Sequence, residues 1–260
     1  MFMKRDERRQ QIIDLLVENG VVDLEELAKR FAVSKMTIHR DLDELEAGGL
    51  LRKVRGGATI EAGMQFESDF RLRERQGSEG KERMALEALE LVEPGMTVMV
   101  NDGSMAAILG SMLPRKKPLT VITNNASILE SLKFEKGIDL IALGGMYSSK
   151  FNGYFGVLAE QNLTSLRADL AFLSSPAVSG NQVFHMDADV IRVKKAMINA
   201  AVKTCLLVNH TRFDRVALHV LANLDDFDWV ITDQVPEPNV QQQLVDAGIQ
   251  LTIARSLENT

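Results

Sequence analysis

The feature that most constrains the fold is an alternation, from Met96 onward, between short apolar runs and helical stretches. The runs predicted as strands are Thr97–Val100, Leu119–Thr123, Ile138–Leu143, Leu170–Leu173, Cys205–Val208, Trp229–Thr232 and Ile249–Ile253. The stretches predicted as helices between them are Ala106–Leu113, Ala126–Leu132, Val157–Leu166, Val190–Lys203 and Val240–Ala247. This alternation is typical of βαβ units and predicts an α/β fold with a mainly parallel sheet covered on both faces.

The carboxyl ends of the predicted strands carry glycine and small polar residues. Ligands of parallel sheets bind at this edge, and glycine together with a helix start favours an anion. Ordinary turns also require glycine, so plain turn chemistry stays open as the alternative. The residues predicted to bind a ligand here are Asn101, Asp102, Gly103, Ser104, Thr123, Asn124, Asn125, Gly144, Gly145, His210 and Arg212.

The first sixty residues have a different pattern, that of three short helices. The spacing predicts helices over Arg5–Asn19, after an N-cap at Asp23, and from Ser34 to Leu45. In the third helix an apolar stripe recurs at i, i+4 and i+7, which indicates one buried face. Two short helices joined by a tight turn predict a helix-turn-helix.

The other face of the third helix is polar, and a basic hairpin follows it. Leu50–Val54 and Ala58–Ile60 are predicted as its strands, around Gly56-Gly57. A hairpin in this place suits a wing that contacts the DNA backbone. A solvated surface helix and an unrelated surface hairpin are the alternatives. The residues predicted to contact DNA are Ser34, Lys35, Met36, Thr37, His39, Arg40, Arg52, Lys53 and Arg55.

The net charge of −6 at first argues against a nucleic-acid partner. Residues 1–60, however, carry 11 Lys and Arg against 11 Asp and Glu, so the acidity belongs to the remainder. The cations of this segment group as Lys4, Arg5, Arg8 and Arg9, then Lys35 and Arg40, then Arg52, Lys53 and Arg55. A clustered basic face matters more for DNA binding than net charge does.

Residue types argue against several other kinds of site. Cys205 is the one cysteine, so neither an internal disulfide nor a cysteine-based zinc site can form. No two of the four histidines have the spacing of a metal motif. No apolar run approaches the roughly 20 residues that span a bilayer, and the charged N-terminus lacks the apolar stretch of a signal peptide. We therefore expect a cytoplasmic protein with no cofactor, no metal and no membrane partner.

The order S-x-x-T-I-x-R-D-L followed by G-G-A, within an ungapped match from Leu24 to Ala58, resembles the N-terminal domain of the DeoR family of bacterial transcription regulators. The chain departs from the family pattern at His39, where arginine is usual, and at Arg55, where the wing usually has histidine. Both changes keep the polarity of the site. The resemblance implies a winged helix-turn-helix that binds double-stranded operator DNA.

Lys81–Thr260 is similar to the C-terminal effector domain of the same family, whose fold resembles ribose-5-phosphate isomerase and glucosamine-6-phosphate deaminase. The family typically shows D-S-G-T-T, T-N, G-G and D-S-S-K-F. The corresponding segments here are Asn101–Met105, Thr123-Asn124, Gly144-Gly145 and Asn209–Phe213, in which two usual acids are asparagines and the usual lysine is Arg212. The resemblance also places Asp187 and Lys194 near the ligand.

Together these observations predict a winged helix-turn-helix at residues 1–60, a linker at 61–80 and a Rossmann-like α/β effector-binding and oligomerisation domain at 81–260. The predicted function is that of a DNA-binding regulator, a repressor of carbohydrate genes controlled by a phosphorylated sugar, and a homo-oligomer. No catalytic residue is predicted. A sugar-phosphate isomerase or deaminase with an accessory N-terminal domain is the rival, and a DNA-binding protein whose pocket has lost its ligand is a third possibility.

Overall fold

The computed structural model describes residues 5–47, 50–59, 70–75, 77–249 and 251–255. The chain divides into two compact units, Met1–Gln76 and Gly77–Thr260. Part of the predicted linker at 61–80 lies outside the described residues, and its later part contributes a helix to the first unit and begins a helix of the second. No described helix combines the length and apolar character that crossing a membrane requires.

The N-terminal unit consists of short helices and a small sheet. Its elements are α1 (Arg5–Asn19), β1 (Val21–Asp23), α2 (Leu24–Arg30), α3 (Lys35–Ala47), β2 (Arg52–Val54), β3 (Gly57–Thr59) and α4 (Phe70–Arg75). Both predicted N-caps are confirmed. The Asp23 carboxylate accepts the N–H groups of Glu25 and Glu26 at 2.8 and 3.0 Å, and the Ser34 hydroxyl accepts that of Thr37 at 3.1 Å.

The wing is a three-stranded sheet rather than the predicted two-stranded hairpin. Strand β1 pairs antiparallel with β3, with Val22 opposite Ala58 and Asp23 opposite Gly57. The predicted strand Leu50–Val54 begins only at Arg52, because Leu50 and its neighbour are buried in the helical core. Ile60, predicted to end the second strand, lies outside the described residues. The sequence did not indicate β1, which is only three residues long.

The C-terminal unit alternates strands and helices. Its helices are α5 (Ser78–Leu89), α6 (Ser104–Met112), α7 (Ala126–Leu132), α8 (Val157–Thr164), α9 (Ala188–Ala200) and α10 (Pro238–Asp246). Its strands are β4 (Thr97–Val100), β5 (Leu119–Thr123), β6 (Ile138–Ala142), β7 (Met146–Ser148), β8 (Gly153–Phe155), β9 (Ala168–Ser174), β10 (Ala177–Ser179), β11 (Gln182–His185), β12 (Ala201–Leu207), β13 (His219–Asn223), β14 (Trp229–Thr232) and β15 (Leu251–Ile253).

Seven of these strands form one parallel sheet in the order β15-β14-β12-β9-β4-β5-β6, so the predicted fold class is confirmed. Met99 belongs to one hydrophobic cluster, whereas Val98 and Val100 belong to another, so successive side chains of β4 are buried on opposite faces. The chain leaves β4 toward β5 and β6 and then returns to β9 on the other side of β4. In such sheets this reversal opens a crevice at the carboxyl ends of the two central strands.

One predicted helix boundary is wrong by three residues. The helix predicted over Val190–Lys203 ends at Ala200, and the chain continues directly as β12. Ala201 and Lys203 pair with Ala168 and Leu170 of β9, so the longer strand satisfies backbone groups along the whole of its neighbour. The sequence also gave no sign of the sheet β10-β11-β13 or of the β7-β8 hairpin, whose strands have three to five residues.

Candidate functional site

The polar face of α3 is largely exposed. Lys35, His39 and Arg40 are exposed, and the Met36 side chain between them is 61% exposed. Thr37 is half-buried, and its hydroxyl lies 2.9 Å from the Ser34 hydroxyl within the cap of the helix. The sequence-predicted face therefore divides into two residues that fix the start of the helix and four that project from it.

Carboxylates of the same unit neutralise part of this face. Lys35 pairs with Glu25 of α2, and Lys53 of the wing pairs with Asp43 of α3. The hydrogen bond from Lys35 lowers the pKa of Glu25, which keeps that carboxylate charged. Among the described residues, no carboxylate lies within 4.0 Å of a guanidinium nitrogen of Arg40 or Arg55. These two arginines are therefore the cations best placed to meet an external anion.

The arginines of α1 that the sequence grouped with the basic face are used differently. Arg8 and Arg9 donate to the buried Asp41 of α3 at 2.6 and 3.0 Å, and Glu44 accepts from Arg5 and Arg9. The hydrogen bond to Glu44 is the largest cause of the raised pKa of Arg9, and the same bond lowers the pKa of Glu44. Arg8 and Arg9, which are not among the residues predicted to contact DNA, therefore anchor α1 to α3.

In the C-terminal unit, a buried ion pair lies at the crevice between β4 and β9. The Lys194 ammonium of α9 donates to the Ser174 carbonyl at 2.7 Å and lies 3.7 Å from Asp102 Oδ1. Both charged side chains are only 2% exposed. Asp187, which the resemblance places near the ligand together with Lys194, is the N-cap of α9 and accepts the N–H groups of Asp189 and Val190.

Two of the predicted ligand residues hold the strand ends together. The Thr123 hydroxyl donates to the Val100 carbonyl at 2.6 Å. The Asn125 amide donates to the carbonyls of Asn101 and Gly103 at 3.3 and 3.0 Å, and its oxygen caps α7. All hydrogen-bonding groups of Asn125 are thus occupied within the protein, which gives it a structural role.

The side chains of Asn101 and Asn124 at the same edge make only part of the hydrogen bonds that they could make. The Asn124 amide nitrogen donates to the Tyr154 carbonyl at 3.1 Å. The Asn101 amide nitrogen lies 3.5 Å from both Asp102 Oδ1 and Ser174 Oγ. Within the described residues, neither side-chain oxygen has a hydrogen-bond partner, although both residues are almost fully buried.

The predicted glycine pair makes a turn into the β7-β8 hairpin. Gly145 has φ +108°, and a Cβ at this position would lie 2.4 Å from the Phe155 carbonyl oxygen. The close approach of the β8 backbone therefore requires glycine at this position whether or not a ligand binds. Gly144, with φ +68°, has open space where its Cβ would lie.

His210 and Arg212 belong to a cluster at the ends of β12 and β14. The buried Asp233 carboxylate accepts the His210 N–H at 2.7 Å and the Asn209 amide at 2.6 Å, and it lies 3.1 Å from His210 Nδ1. Arg212 follows in a 3-10 turn, where its N–H donates to the Asn209 carbonyl at 2.9 Å. This cluster lies at the same carboxyl edge of the sheet as the loop after β4 and the Gly144-Gly145 turn after β6. Its hydrogen bonds are made to other residues than theirs.

No group of three His, Cys, Asp or Glu side chains among the described residues is arranged to hold a metal ion. The Cys205 thiol is buried in the sheet, and burial raises its pKa.

Two family models together account for most of the sequence. A DeoR-like helix-turn-helix domain matches residues 8–62, and a DeoR C terminal sensor domain matches residues 76–234. The chain belongs to the DeoR family. The family predicted from the sequence motifs is therefore confirmed.

The relatives of this DeoR-family chain extend over nearly its whole length. It is 29% identical to the "Glycerol-3-phosphate regulon repressor" of Escherichia coli (strain K12), covering 96% of this chain and 100% of that protein. It is 31% identical to the "Lactose phosphotransferase system repressor" of Lactococcus lactis subsp. lactis, covering 91% and 94%. These names agree with the prediction of a regulator rather than an enzyme.

Among solved structures, ribose 5 phosphate isomerase A from Neisseria gonorrhoeae superposes with a TM-score of 0.39 at 14% identity, covering 54% of each chain.

Two polar residues of this edge, and His185 of the smaller sheet β10-β11-β13, were missed by the sequence reasoning. Ser174 ends β9 and Asp233 directly follows β14, so the rule that selected the other strand ends would also have selected them. His185 ends β11, where its Nδ1 accepts the Asp187 N–H at 3.1 Å and its ring lies 5.7 Å from that of Phe151. That strand had no recognisable sequence pattern.

Proposed function

We propose that this chain is a DNA-binding transcriptional repressor of carbohydrate genes, acting in the cytoplasm and released from its operator by a phosphorylated sugar. The observation that carries the proposal is the exposed face of α3, with Arg40, which pairs with no carboxylate among the described residues, in a chain that belongs to the DeoR family. The names of the relatives, which refer to glycerol-3-phosphate and to lactose phosphotransferase, support control by a sugar phosphate.

On DNA, α3 would lie in the major groove and the wing would contact the backbone. Arg40 can form a bidentate contact with guanine or a contact with phosphate. Arg55, at the tip of the wing, has only the backbone role. One such unit makes few contacts, so operator affinity requires two half-sites and therefore a homo-oligomer. We assign the association between subunits to the C-terminal unit.

The effector would bind at the carboxyl ends of β4 and β5, with Gly144 and the cluster of His210 and Arg212 at its margins. Helix α6 begins at Ser104 with no side-chain cap, so its first N–H groups suit a phosphate. Arg212 can add a charge-assisted bond to that phosphate. For release from DNA, the ligand must bind the DNA-incompetent arrangement more tightly than the competent one.

The test begins with fragmented genomic DNA of the source organism, from which the purified full-length protein selects the fragments that it binds. We expect a few fragments to be enriched, and we expect a sugar phosphate from a panel to release them in a gel-shift titration. Turnover of the same panel is measured in parallel. Enrichment of no fragment would contradict the DNA-binding role, and steady turnover of a sugar phosphate would favour the isomerase or deaminase alternative.

A further inference from the structure

Three buried asparagines at the ends of β4 and β5 differ in how fully the protein uses them. Asn125 has every hydrogen-bonding group occupied, as described above. Asn101 and Asn124 each retain a buried side-chain oxygen that no described residue satisfies. Buried acceptors without a donor are rare in folded proteins, because burial removes the water that would have bonded to them. Two in one place therefore require a specific explanation.

The orientation of both amides follows from their nitrogens. The Asn124 nitrogen is held by the Tyr154 carbonyl, and the Asn101 nitrogen lies nearest a carboxylate and a hydroxyl. Rotating the Asn124 amide would bring its oxygen against the Tyr154 carbonyl, and rotating the Asn101 amide would bring its oxygen against the Asp102 carboxylate. The oxygens are therefore the groups left without a partner.

The two asparagines lie beside the ion pair of the crevice. A Cβ placed on Gly153 would lie 3.0 Å from the Asn124 carbonyl oxygen and 3.3 Å from Asp102 Cβ, so these two residues flank the same point. Asn101 precedes Asp102 in the chain. Asn101, Asn124 and the ion pair form what we call one wall of the crevice. Lys194 balances the charge of Asp102, so this wall has no net positive charge that would attract a phosphate. The buried side-chain atoms of Asn101, Asn124 and Asp102 that no described residue satisfies are the two asparagine oxygens, which are acceptors.

We propose that Asn101 and Asn124 are the residues that read the hydroxyl groups of the effector. The ligand is then a polyhydroxylated carbon chain that donates two hydrogen bonds to Asn101 Oδ1 and Asn124 Oδ1, with its phosphate directed away from this wall. A phosphate, which offers acceptors, finds no partner here. The inference rests on the proposed function, since it specifies which end of a sugar phosphate this wall takes.

This role gives Asn101→Leu an unusual signature. The substitution keeps the size of the side chain but removes an acceptor that is unsatisfied without ligand, so the melting temperature of the free protein should not fall. The matched control is Asn125→Leu, which removes satisfied hydrogen bonds and should lower that temperature. A merely structural Asn101 would behave like Asn125.

Binding is measured by calorimetry on the full-length protein with ribose 5-phosphate, glucose 6-phosphate, glycerol 3-phosphate and inorganic phosphate. We expect Asn101→Leu to weaken binding of the sugar phosphate by about tenfold or more, because the ligand hydroxyl would then be buried without an acceptor. Any affinity for inorganic phosphate should be unchanged. Equal affinity of the wild type and Asn101→Leu for the sugar phosphate overturns the inference, as does a fall in melting temperature equal to that of Asn125→Leu.

A second arm uses only the wild-type protein, so it holds even if the variants fail to fold. The sugar phosphate that binds is compared with its singly deoxygenated analogues, for example 2-deoxyribose 5-phosphate. At least one analogue should bind about tenfold more weakly or worse. Analogues that all bind within about threefold overturn the inference while the proposed function stands. Binding of none of the sugar phosphates overturns the sugar-phosphate control itself and the inference with it.

Discussion

The two units place their functional polar residues in opposite environments. In the N-terminal unit the side chains of α3 that we propose to contact DNA project into solvent, and the buried Asp41 accepts hydrogen bonds from α1 that hold the helix in place. In the C-terminal unit the candidate effector residues Asn101 and Asn124 are buried, and Lys194 and Asp102 compensate each other inside the fold. An exposed site can change without cost to folding, whereas a buried site links recognition to stability.

The largest effect should come from breaking the buried pair. Lys194→Met leaves Asp102 charged and without its ammonium partner, so we expect about 3–5 kcal/mol less stability in the C-terminal unit. The single tryptophan, Trp229, lies in that unit and reports its urea unfolding by fluorescence. The double variant with Asp102→Asn should recover much of the loss. A Lys194→Met protein as stable as the wild type would show that the pair does not link binding to folding.

The exposed surface should respond in DNA binding instead. Arg40→Ala should cost about 1–3 kcal/mol on the cognate site alone if the guanidinium reads a base. If it contacts phosphate, the loss should be similar on all sequences, and the slope of log K against log salt should shrink by about one unit. Fluorescence anisotropy at several salt concentrations separates the two outcomes.

The control for this measurement is Arg115→Ala, an exposed arginine of the other unit. Both variants should unfold at the wild-type urea concentration. Unchanged affinity of Arg40→Ala for both kinds of DNA would remove α3 from the interface.

A smaller effect is expected from the hydrogen bond between the Thr123 hydroxyl of β5 and the Val100 carbonyl of β4. Thr123→Val keeps the shape of the side chain but leaves the buried Val100 carbonyl without its donor, at a cost of about 1–3 kcal/mol. Trp229 fluorescence in urea measures the loss. Thr252→Val, at a half-buried position of β15, is the control and should change stability little. Equal stability of the two variants would argue against a structural role for Thr123.

The smallest effect concerns acid. The Arg9 hydrogen bond lowers the pKa of Glu44 below its ordinary value of 4.5, so Glu44 takes up a proton less readily in the folded state than in the unfolded state. Its stabilising effect is complete above the unfolded pKa and disappears as the pH falls through the folded pKa. Circular dichroism melts should show this decline in the wild type, whereas Glu44→Gln should lack that part of it. Identical pH profiles of the two proteins would show that Glu44 does not contribute to the loss of stability in acid.

How much the sequence predicted also differs between the units. The alternation of strands and helices predicts the parallel sheet because strands buried on both faces appear in the sequence as continuous apolar runs. The caps at Asp23 and Ser34 are local, and local chemistry is readable from the chain. The role of Arg8 and Arg9, however, could not be predicted, because their partner lies 33 and 32 residues away. Distance along the chain conceals such a partner.

At the sheet edge the strand-end rule located a set of residues but could not sort them. Whether the hydrogen-bonding groups of Asn125 or of Asn101 are satisfied within the protein depends on the register of β4 and β5 and on which carbonyls face each amide. The position of Lys194 over Asp102 depends on the packing of α9 across the sheet. These are tertiary relations, and a single sequence does not contain them.

The pairing of the wing with β1 limits how this protein can diversify. A Cβ at Gly57 would lie 2.0 Å from the Val22 carbonyl oxygen, so no other residue fits without separating the two strands. In a saturation library selected for repression, position 57 should therefore return only glycine. Arg55, two residues earlier and exposed, should accept many residues, and the loss of its charge should weaken DNA binding without changing the preferred operator. The strand that holds the wing thus limits variation of this backbone contact to the tip of the wing.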